Sequence, residues 1–554
     1  MPRDDHIDKP YLPNRKDFHL EKGTIVKSLM KKVFAAAAAI ATVFGLAATT
    51  VATANAADNA TLTVSTTDAK FAGKTVNAYK MFSATVSGDG KAVSYTLTDE
   101  WKPFFKNSTA SGLTGATDAN VNDKANEYVS SLTGKEKDLV AFAAKASNWA
   151  QKNNITAATT AVSTDATDGK YTATFTGLDY GYYVVAVPGA TLANASGQYA
   201  TLVSVDRTNV TANIKGDLPT VAKKVNGESA TSAKIGDTLT FTLTSTIPDM
   251  SAYDTYTFNF KDTLSQGLTF GQVTSVTVDG VTDPLTVNTD YTVTTPTTSD
   301  NTLTVSMKDF KKQQANAGKT ITVTYTATLN KDAVVGGHGN TNSATIQYSN
   351  NPSSGGTGES EPSKVRVFTY GFTVDKYTGD EYDNDATRLA GAEFTLTAKG
   401  DTSAIKFVQV NAGSATEDAV YRVAKAGETA GTTTTITTPA NGKVVFQGLK
   451  NGEYTLTETK APAGYNKLAS ALGVKVNGSN DGTDTTNATV TITYNNDNND
   501  TTYDQTASNG VIPVQNKSGV VLPGTGGMGT IAFTVIGVLV IALGVAWTLK
   551  RKNA

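Results

Sequence analysis

Short runs of alternating apolar and polar residues recur through most of the chain. One such run is TLTFTL at 238–243, and turn-forming Gly, Asn, Asp and Pro residues separate successive runs. Alternation with a period of two is typical of half-buried antiparallel strands. Many short strands with turns between them predict an all-β protein made of Ig-like β-sandwich domains in series.

Residues 119–152 depart from this pattern. Their apolar residues recur at the three- and four-residue spacing of a helix face. These residues are Ala125, Val129, Leu132, Leu139, Phe142 and Ala143. We therefore expect a helical insertion in the first of the β domains.

Both ends of the chain carry a long apolar run. Near the N-terminus, Met30-Lys31-Lys32 precedes an apolar stretch at 33–48 and the small-x-small sequence ANA at 54–56. This order predicts a secretory signal peptide ending near residue 57. The polar residues before it are either an N-terminal extension or the result of an early start codon, with Met30 the true start.

The C-terminal run is long enough to cross a bilayer. Residues 530–549 contain no charge and are followed by KRK at 550–552. Twenty helical residues span about 30 Å, which matches the hydrocarbon core of a membrane. Basic residues after such a span stay in the cytoplasm, so the chain before it is predicted to lie outside the cell.

Turn-rich breaks divide the rest of the chain. They predict a signal peptide with N-extension at 1–57, a first domain at 58–215 and a second at 216–350. A linker at 351–365 and a third domain at 366–520 follow, before a tail at 521–554.

Composition excludes several kinds of function. The 554 residues carry a net charge of −2, with 48 basic and 50 acidic residues spread along the chain, which argues against a nucleic-acid partner. Cysteine is absent, so disulfides and thiol chemistry are excluded. With only three histidines we expect no metal site, no cofactor and no His-based catalytic apparatus.

Ionisable and amide side chains fall on apolar strand faces in the third domain. Lys376 shares a face with Phe372 and Val374, Glu458 continues the face of Tyr454 and Leu456, and Asn516 that of Ile512 and Val514. A lone buried lysine costs several kcal/mol, so it requires partners or a reaction. The alternative is that Lys376 and Asn516 are exposed at strand ends and Glu458 pairs with Lys460.

A reaction fits these three residue types. Burial favours the neutral forms of lysine and of a carboxylic acid. A neutral amine can attack an amide carbonyl while the acid polarises it and transfers protons, and ammonia is released. The product is an isopeptide bond between lysine and asparagine.

The tail resembles the cell-wall sorting signal of Gram-positive surface proteins. It carries an LPxTG motif before the apolar span and the basic end, at Leu522, Pro523, Gly524, Thr525 and Gly526. The resemblance implies cleavage by a sortase between Thr525 and Gly526. The alternative is an ordinary membrane anchor with a chance pentapeptide.

The third domain resembles the Cna-B-type module of Gram-positive pilins through its segment ETKAPAGY at 458–465. That resemblance implies a Lys376–Asn516 isopeptide bond with Glu458 as the catalytic acid.

The second domain resembles the isopeptide-forming D2 domain of fimbrial proteins, through an alternating first strand, a middle strand ending in Asp262 and a last strand beginning near Asn342. This implies a Lys223–Asn342 bond assisted by Asp262. Lys224 is the rival, because a slip of one residue exchanges the two strand faces. The alternative is a surface lysine, a turn aspartate and a capping asparagine.

The first domain resembles the N-terminal pilin domain through GKTVNAYKMF at 73–82 and Gly181-Tyr182-Tyr183, and no bond is assigned to it. Backbone pilins carry an acceptor lysine at the end of this domain, usually in a Tyr-Pro-Lys motif. Lys215 has the matching position but lacks the Tyr-Pro pair. The alternative is a plain linker lysine.

Together these resemblances imply a sortase-assembled major pilin, the shaft subunit of a covalently polymerised fimbria on the cell wall. The implied partners are a pilin-specific sortase, identical subunits, minor pilins, peptidoglycan and ligands on host or microbial surfaces. The chain is not expected to be an enzyme beyond a single reaction on itself. A monomeric wall-anchored adhesin and a minor pilin at the tip or base are the alternatives.

Overall fold

A computed structural model of the protein describes residues 59–191, 200–214, 216–350, 355–382, 384–479, 489–496, 502–519 and 528–552. The chain divides into two compact units. The first has the bounds Met1–Ser229, Thr238–Ala327 and Thr341–Arg366, and the second Ala230–Asp237, Thr328–Asn340 and Val367–Ala554. The predicted signal peptide lies outside the described residues.

Two sheets form the N-terminal part of the first unit. Their strands are β1 (Ala60–Thr66), β2 (Thr75–Val86), β3 (Val93–Leu97), β4 (Ala157–Ala161), β5 (Tyr171–Leu178), β6 (Gly181–Ala186), β7 (Ala200–Val205) and β8 (Asn209–Asn213). One sheet has the order β5–β1–β8 and the other β3–β2–β6–β7, with β4 also against β2. Strand β1 is antiparallel to β5 and parallel to β8, which brings the first and last strands together.

Helices occupy the segment between β3 and β4. They are α1 (Lys102–Lys106), α2 (Ser108–Ser111), α3 (Val121–Ser131) and α4 (Glu136–Lys152). Five of the six apolar residues predicted to share a helix face are buried, and Leu139 is half-buried. The helical insertion is confirmed. Helix α1 adds Phe104 and Phe105 to its core.

Two further sheets face each other in the rest of the first unit. The strands are β9 (Ala222–Val225), β11 (Thr238–Thr246), β12 (Phe258–Leu264), β13 (Leu268–Val278), β14 (Tyr291–Thr294), β15 (Thr302–Met307), β16 (Thr320–Leu329), β17 (Asn340–Ser349), β18 (Thr357–Glu359) and β19 (Ser363–Phe368), while β10 (Ala230–Ser232) lies in the second unit. The orders are β13–β16–β11–β9 and β19–β17–β12–β15–β14, with β18 against β17. Buried and part-exposed residues alternate strictly along β16, as the period of two requires.

The second unit is a sandwich of two six-stranded sheets. Its strands are β20 (Tyr370–Tyr377), β21 (Glu393–Ala398), β22 (Phe407–Asn411), β23 (Ala419–Val423), β24 (Thr432–Thr433), β25 (Ile436–Thr437), β26 (Lys443–Leu449), β27 (Gly452–Lys460), β28 (Leu472–Gly478), β29 (Val490–Asn495), β30 (Gln505–Thr506) and β31 (Val511–Gln515). The orders are β24–β22–β23–β26–β20–β31 and β25–β21–β27–β28–β29–β30. Strands β20 and β31 are parallel neighbours, with Lys376 opposite Val514. The predicted all-β architecture with tandem sandwiches is confirmed.

Helix α5 (Met528–Lys552) covers the apolar span near the C-terminus. Its apolar side chains from Val535 to Leu549 are mostly exposed. Within the part of the chain that the structure describes, no helix combines the length and the apolar character needed to cross a membrane.

A buried charge cluster stabilises the second unit beside β20. Asp375 is fully buried. Arg388 donates hydrogen bonds to its carboxylate, from Nε to Oδ1 over 3.1 Å and from Nη2 to Oδ2 over 3.2 Å. Lys443 Nζ lies 3.8 Å from the same group. A carboxylate buried away from solvent remains charged at an acceptable free-energy cost only when cations such as these lie beside it.

We expect Arg388→Ala to lower the free energy of unfolding of the second unit by about 3 kcal/mol or more, because it leaves Asp375 buried without its main cation. Urea unfolding measures the change. Lys399→Ala is the control, since Lys399 pairs with Glu453 at the surface and its loss should cost about 0.5 kcal/mol or less. Equal effects of the two substitutions would contradict the prediction.

Candidate functional site: two buried lysine, acid and asparagine clusters

Lys223, Asp262 and Asn342 meet inside the sandwich of the first unit. Lys223 lies on β9 of one sheet, while Asp262 on β12 and Asn342 on β17 come from the facing sheet. All three are buried, with at most 3% of each residue exposed. Lys223 Nζ donates a hydrogen bond to Asp262 Oδ2. We call this group the middle cluster.

A tyrosine completes the middle cluster. The hydroxyl of Tyr325, on β16, donates to Asp262 Oδ2 over 2.7 Å and accepts from Asn342 Nδ2 over 2.6 Å. Lys223 Nζ also donates to it over 3.1 Å. Sequence reasoning missed this residue, although the alternation along β16 places its side chain in the sandwich interior.

Burial governs the electrostatics of the middle cluster. It lowers the pKa of Lys223, and the attraction of Asp262 offsets only part of this shift. It also raises the pKa of Tyr325 well above its usual range, with the Asp262 charge adding to the effect. The amine is therefore closer to its neutral, nucleophilic form than a surface lysine is.

The neighbouring lysine lies on the opposite strand face. Lys224 is exposed, and its Nζ donates to Ser229 Oγ over 3.1 Å. The strand register, with Lys223 opposite Leu243 on β11, thus places Lys223 in the interior and leaves Lys224 outside.

Lys376, Glu458 and Asn516 form a second cluster, here called the C-terminal cluster. Lys376 lies on β20 and Asn516 directly follows β31, the parallel neighbour of β20, while Glu458 projects from β27 of the facing sheet. Lys376 Nζ is 3.5 Å from Glu458 Oε1, and Asn516 Nδ2 donates to Glu458 Oε2 over 3.1 Å. At most 2% of any of the three residues is exposed.

Backbone groups hold the C-terminal cluster in place. Leu468 N–H donates to Glu458 Oε2 over 2.7 Å, and Asn516 Nδ2 donates to the Asn466 carbonyl over 2.9 Å. Lys376 Nζ donates to the Val514 carbonyl over 3.1 Å. Asn466 and Leu468 follow the ETKAPAGY segment at 458–465, so its turn brings the chain back over the acid that begins it.

Desolvation lowers the pKa of Lys376 to about 8, against the opposing attraction of Glu458. A substantial fraction of its amine is therefore neutral near physiological pH. The alternative pairing of Glu458 with Lys460 is wrong, because Lys460 Nζ binds Glu393 Oε1 over 2.9 Å.

Each cluster brings together an amine, an amide and an acid, all buried from solvent. In both, the amide oxygen accepts no hydrogen bond from any described residue; these atoms are Asn342 Oδ1 and Asn516 Oδ1. A carbonyl oxygen without a partner can accept the proton or hydrogen bond that stabilises developing negative charge. The geometry thus suits acyl transfer from asparagine to lysine.

Some predicted site residues lie outside the described part of the chain: Lys215 and the motif residues Leu522, Pro523, Gly524, Thr525 and Gly526. Among the residues that the structure does describe, no group of three or more His, Asp or Glu side chains could hold a metal ion.

Three family models match the chain. Residues 235–352 match the Gram-positive pilin backbone subunit 2, Cna-B-like domain, residues 375–492 the SpaA prealbumin-like fold domain, and residues 514–554 the LPXTG cell wall anchor motif. The predicted resemblance to Gram-positive backbone pilins is therefore confirmed. The anchor motif identifies a surface protein attached to the cell wall.

Two curated proteins are similar over part of their length. The trypsin-resistant surface T6 protein of Streptococcus pyogenes serotype M6 is 25% identical over 277 residues, which are 46% of this chain and 45% of that protein. Platelet adherence protein A of Streptococcus gordonii is 31% identical over 192 residues, 34% of this chain and 5% of that protein. The chain thus spans less than half the length of either.

Solved structures of pilins are similar as well. The T6 backbone pilin of Streptococcus pyogenes is 18% identical, with 83% of this chain and 99% of that chain covered and a TM-score of 0.44. The major pilin SpaD of Corynebacterium diphtheriae is 19% identical, with 84% and 98% covered and a TM-score of 0.40.

If both clusters react, the purified chain should be lighter than its sequence mass by two molecules of ammonia. Glu458→Ala and Asp262→Ala should each restore one, because each removes the acid of one cluster. Intact-mass spectrometry measures the loss. Glu453→Ala on the same strand as Glu458 is the control and should keep both losses, and a wild-type chain at full sequence mass would contradict the prediction.

The lowered pKa of Lys376 predicts a pH-dependent stability in a chain that cannot form the bond. In Asn516→Ala the amine stays free, and we expect it to keep the wild-type pKa of about 8 in the folded state, against 10.5 when exposed. Between these values the unfolded chain holds the proton and the folded chain does not. The free energy of unfolding should therefore rise between pH 8 and 10.5, by up to about 3 kcal/mol, with no such gain below pH 8.

Urea unfolding at several pH values measures this rise. The reference is the double variant Lys376→Met with Asn516→Ala, which lacks the buried amine but keeps every other lysine. If the free energy of unfolding changes with pH in the same way for the two variants, Lys376 does not titrate as predicted.

Proposed function

Because this chain is a relative of the Gram-positive backbone pilins and carries their LPXTG cell wall anchor, we propose that it is the structural shaft subunit of a covalently polymerised surface fimbria. In this proposal residues 58–215, 216–350 and 366–520 are three domains in series. One observation carries it: a wall-anchor motif follows two sandwiches, and each sandwich buries a lysine, a carboxylic acid and an asparagine in one polar cluster.

Intramolecular isopeptide bonds are the first part of the proposal. Lys223 is joined to Asn342 with Asp262 as catalyst, and Lys376 to Asn516 with Glu458 as catalyst. In each case the amine nitrogen bonds to the amide carbon, the carbon–nitrogen bond of the amide breaks, and ammonia leaves with a proton that came from the amine. The hydrogen bonds and burial of both clusters support this chemistry.

Polymerisation is the second part. A pilin-specific sortase cleaves between Thr525 and Gly526 and transfers the threonyl acyl group to Lys215 of the next subunit. The described residues on either side of Lys215 support this position for an acceptor, since Ile214 and Asp217 are both hydrogen-bonded to the N-terminal part of the first unit. Ile214 N–H donates to the Ser65 carbonyl over 2.8 Å, and Asp217 N–H to the Thr191 carbonyl over 2.9 Å.

The implied partners follow from the polymer. They are the sortase, identical subunits, minor pilins, and the peptidoglycan that receives the last subunit. The exposed fibre would mediate adhesion to host or microbial surfaces. The protein acts on itself once per cluster and has no catalytic turnover.

A monomeric wall-anchored adhesin is the second candidate. The absence of a Tyr-Pro pair before Lys215 and the similarity to platelet adherence protein A favour it. It requires the anchor but no acceptor lysine, so the two functions differ in the size of the product on the wall.

A wall extract boiled in detergent separates the two candidates. We expect immunoblotting to show a high-mass ladder in the wild type, which Lys215→Ala reduces to a monomer band because the acceptor amine is lost. Lys224→Ala is the control, an exposed lysine that should leave the ladder intact. A single monomer band in the wild type would favour the adhesin, and a ladder that persists in Lys215→Ala would assign another acceptor.

A further inference from the structure

We propose that the Tyr325 hydroxyl is a catalytic group of the middle cluster, which carries a proton from Asp262 to the amide nitrogen of Asn342 as ammonia leaves. This inference rests on the proposed Lys223–Asn342 bond. The resemblance of the second domain to the D2 domain of fimbrial proteins implies roles only for the lysine, the acid and the asparagine, and none for Tyr325.

The hydroxyl lies between the acid and the leaving nitrogen. A tyrosine hydroxyl has one proton to donate and can accept two hydrogen bonds. Tyr325 uses all three, since it donates to Asp262 Oδ2 and accepts from Asn342 Nδ2 and Lys223 Nζ. Among the described residues, no hydrogen bond joins Asp262 directly to Asn342, so the hydroxyl is the path between them.

The C-terminal cluster shows why such a relay is needed. There Asn516 Nδ2 donates directly to Glu458 Oε2 over 3.1 Å. Glutamate is longer than aspartate by one methylene group. In the middle cluster the shorter Asp262 contacts the lysine, and the phenol hydroxyl bridges the remaining distance to the amide.

The proton steps balance. Lys223 gives one proton to Asp262 and becomes a neutral amine, which attacks the Asn342 amide carbon. Tyr325 passes its proton to the amide nitrogen and takes the proton of Asp262. The carbon–nitrogen bond then breaks to release ammonia, and Asp262 takes the second proton from the former lysine nitrogen. Tyr325 ends as it began, and the acid ends protonated.

Aromatic packing fixes the ring that carries this hydroxyl. The ring of Tyr325 stacks on that of Phe241, with ring centres 5.2 Å apart and an angle of 10° between the planes. The centre of the Phe270 ring lies 6.0 Å from that of Tyr325. Lys223 Nζ lies 5.1 Å from the centre of the Phe241 ring. Phenylalanine at 325 would keep these ring contacts and remove only the hydroxyl.

The test follows the two bonds in the same molecules. The full chain is synthesised in a cell-free system with detergent, sampled over time, and each link is measured by mass spectrometry of its cross-linked peptide. We expect Tyr325→Phe to slow the Lys223–Asn342 link by about 100-fold or more, the usual size of a general acid–base effect. The Lys376–Asn516 link should form at the wild-type rate, because no tyrosine hydroxyl among the described residues is hydrogen-bonded to the side chains of that cluster.

Tyr256→Phe is the matched control. Tyr256 belongs to the same unit, and its buried hydroxyl has no hydrogen-bond partner among the described residues. Its removal should leave both links unchanged. Adding Asp262→Glu to Tyr325→Phe should restore the slow link at least partly, because the longer acid can reach the amide as Glu458 does.

The outcomes are distinct. A Tyr325→Phe chain that links Lys223 to Asn342 at the wild-type rate would overturn the relay and leave the bond standing. Slow linkage together with faster digestion by trypsin than that of an unlinked Asp262→Ala chain would assign the hydroxyl a structural role, which also overturns the relay. A wild-type chain without this link would instead refute the proposed bond itself.

Discussion

The burial of a lysine beside a carboxylate is the constraint on which each sandwich depends. Moving an ammonium group out of water costs several kcal/mol, and one nearby carboxylate recovers only part of that. Lys223 and Lys376 are both buried, and desolvation is the largest influence on the pKa of each. A folded domain that contains such a pair is therefore in a state of high free energy until the amine loses its charge. Formation of a neutral amide would remove this cost permanently.

The two clusters meet this constraint with different geometry. In the middle cluster the amine and the amide come from facing sheets, so a bond would tie one layer to the other. In the C-terminal cluster they come from the parallel neighbours β20 and β31, and the facing sheet contributes only the acid. The acids differ accordingly. Asp262 accepts a hydrogen bond from a tyrosine hydroxyl, whereas Glu458 accepts one from the backbone N–H of Leu468.

The alternation of apolar and polar residues along the strands allowed most of the fold and most of the cluster residues to be predicted from the sequence. Parity placed Lys376, Glu458 and Asn516 on apolar faces, and the structure brings them into contact. It could not choose between Lys223 and Lys224, because that choice depends on register against β11. The role of Tyr325 was not predicted, because an inward-facing tyrosine on a regular strand has the same alternating sequence pattern as any aromatic residue of the core. The backbone groups of Asn466 and Leu468 carry no side-chain signal, and their role depends on a turn whose path no local pattern encodes.

The position of each pair within its unit determines what a bond would do under tension. Lys376 is near the end of the first strand of its sandwich, and Asn516 directly follows the last. Force that enters along β20 would cross to residue 516 through the bond and leave the chain between them unloaded. Lys223 and Asn342, at the start of β9 and near the start of β17, enclose strands β11 to β16 between them, while most of β17 and all of β18 and β19 follow Asn342. Hydrogen bonds of the intervening strands would then carry no axial load, and a cysteine-free sandwich would resist extension without disulfides.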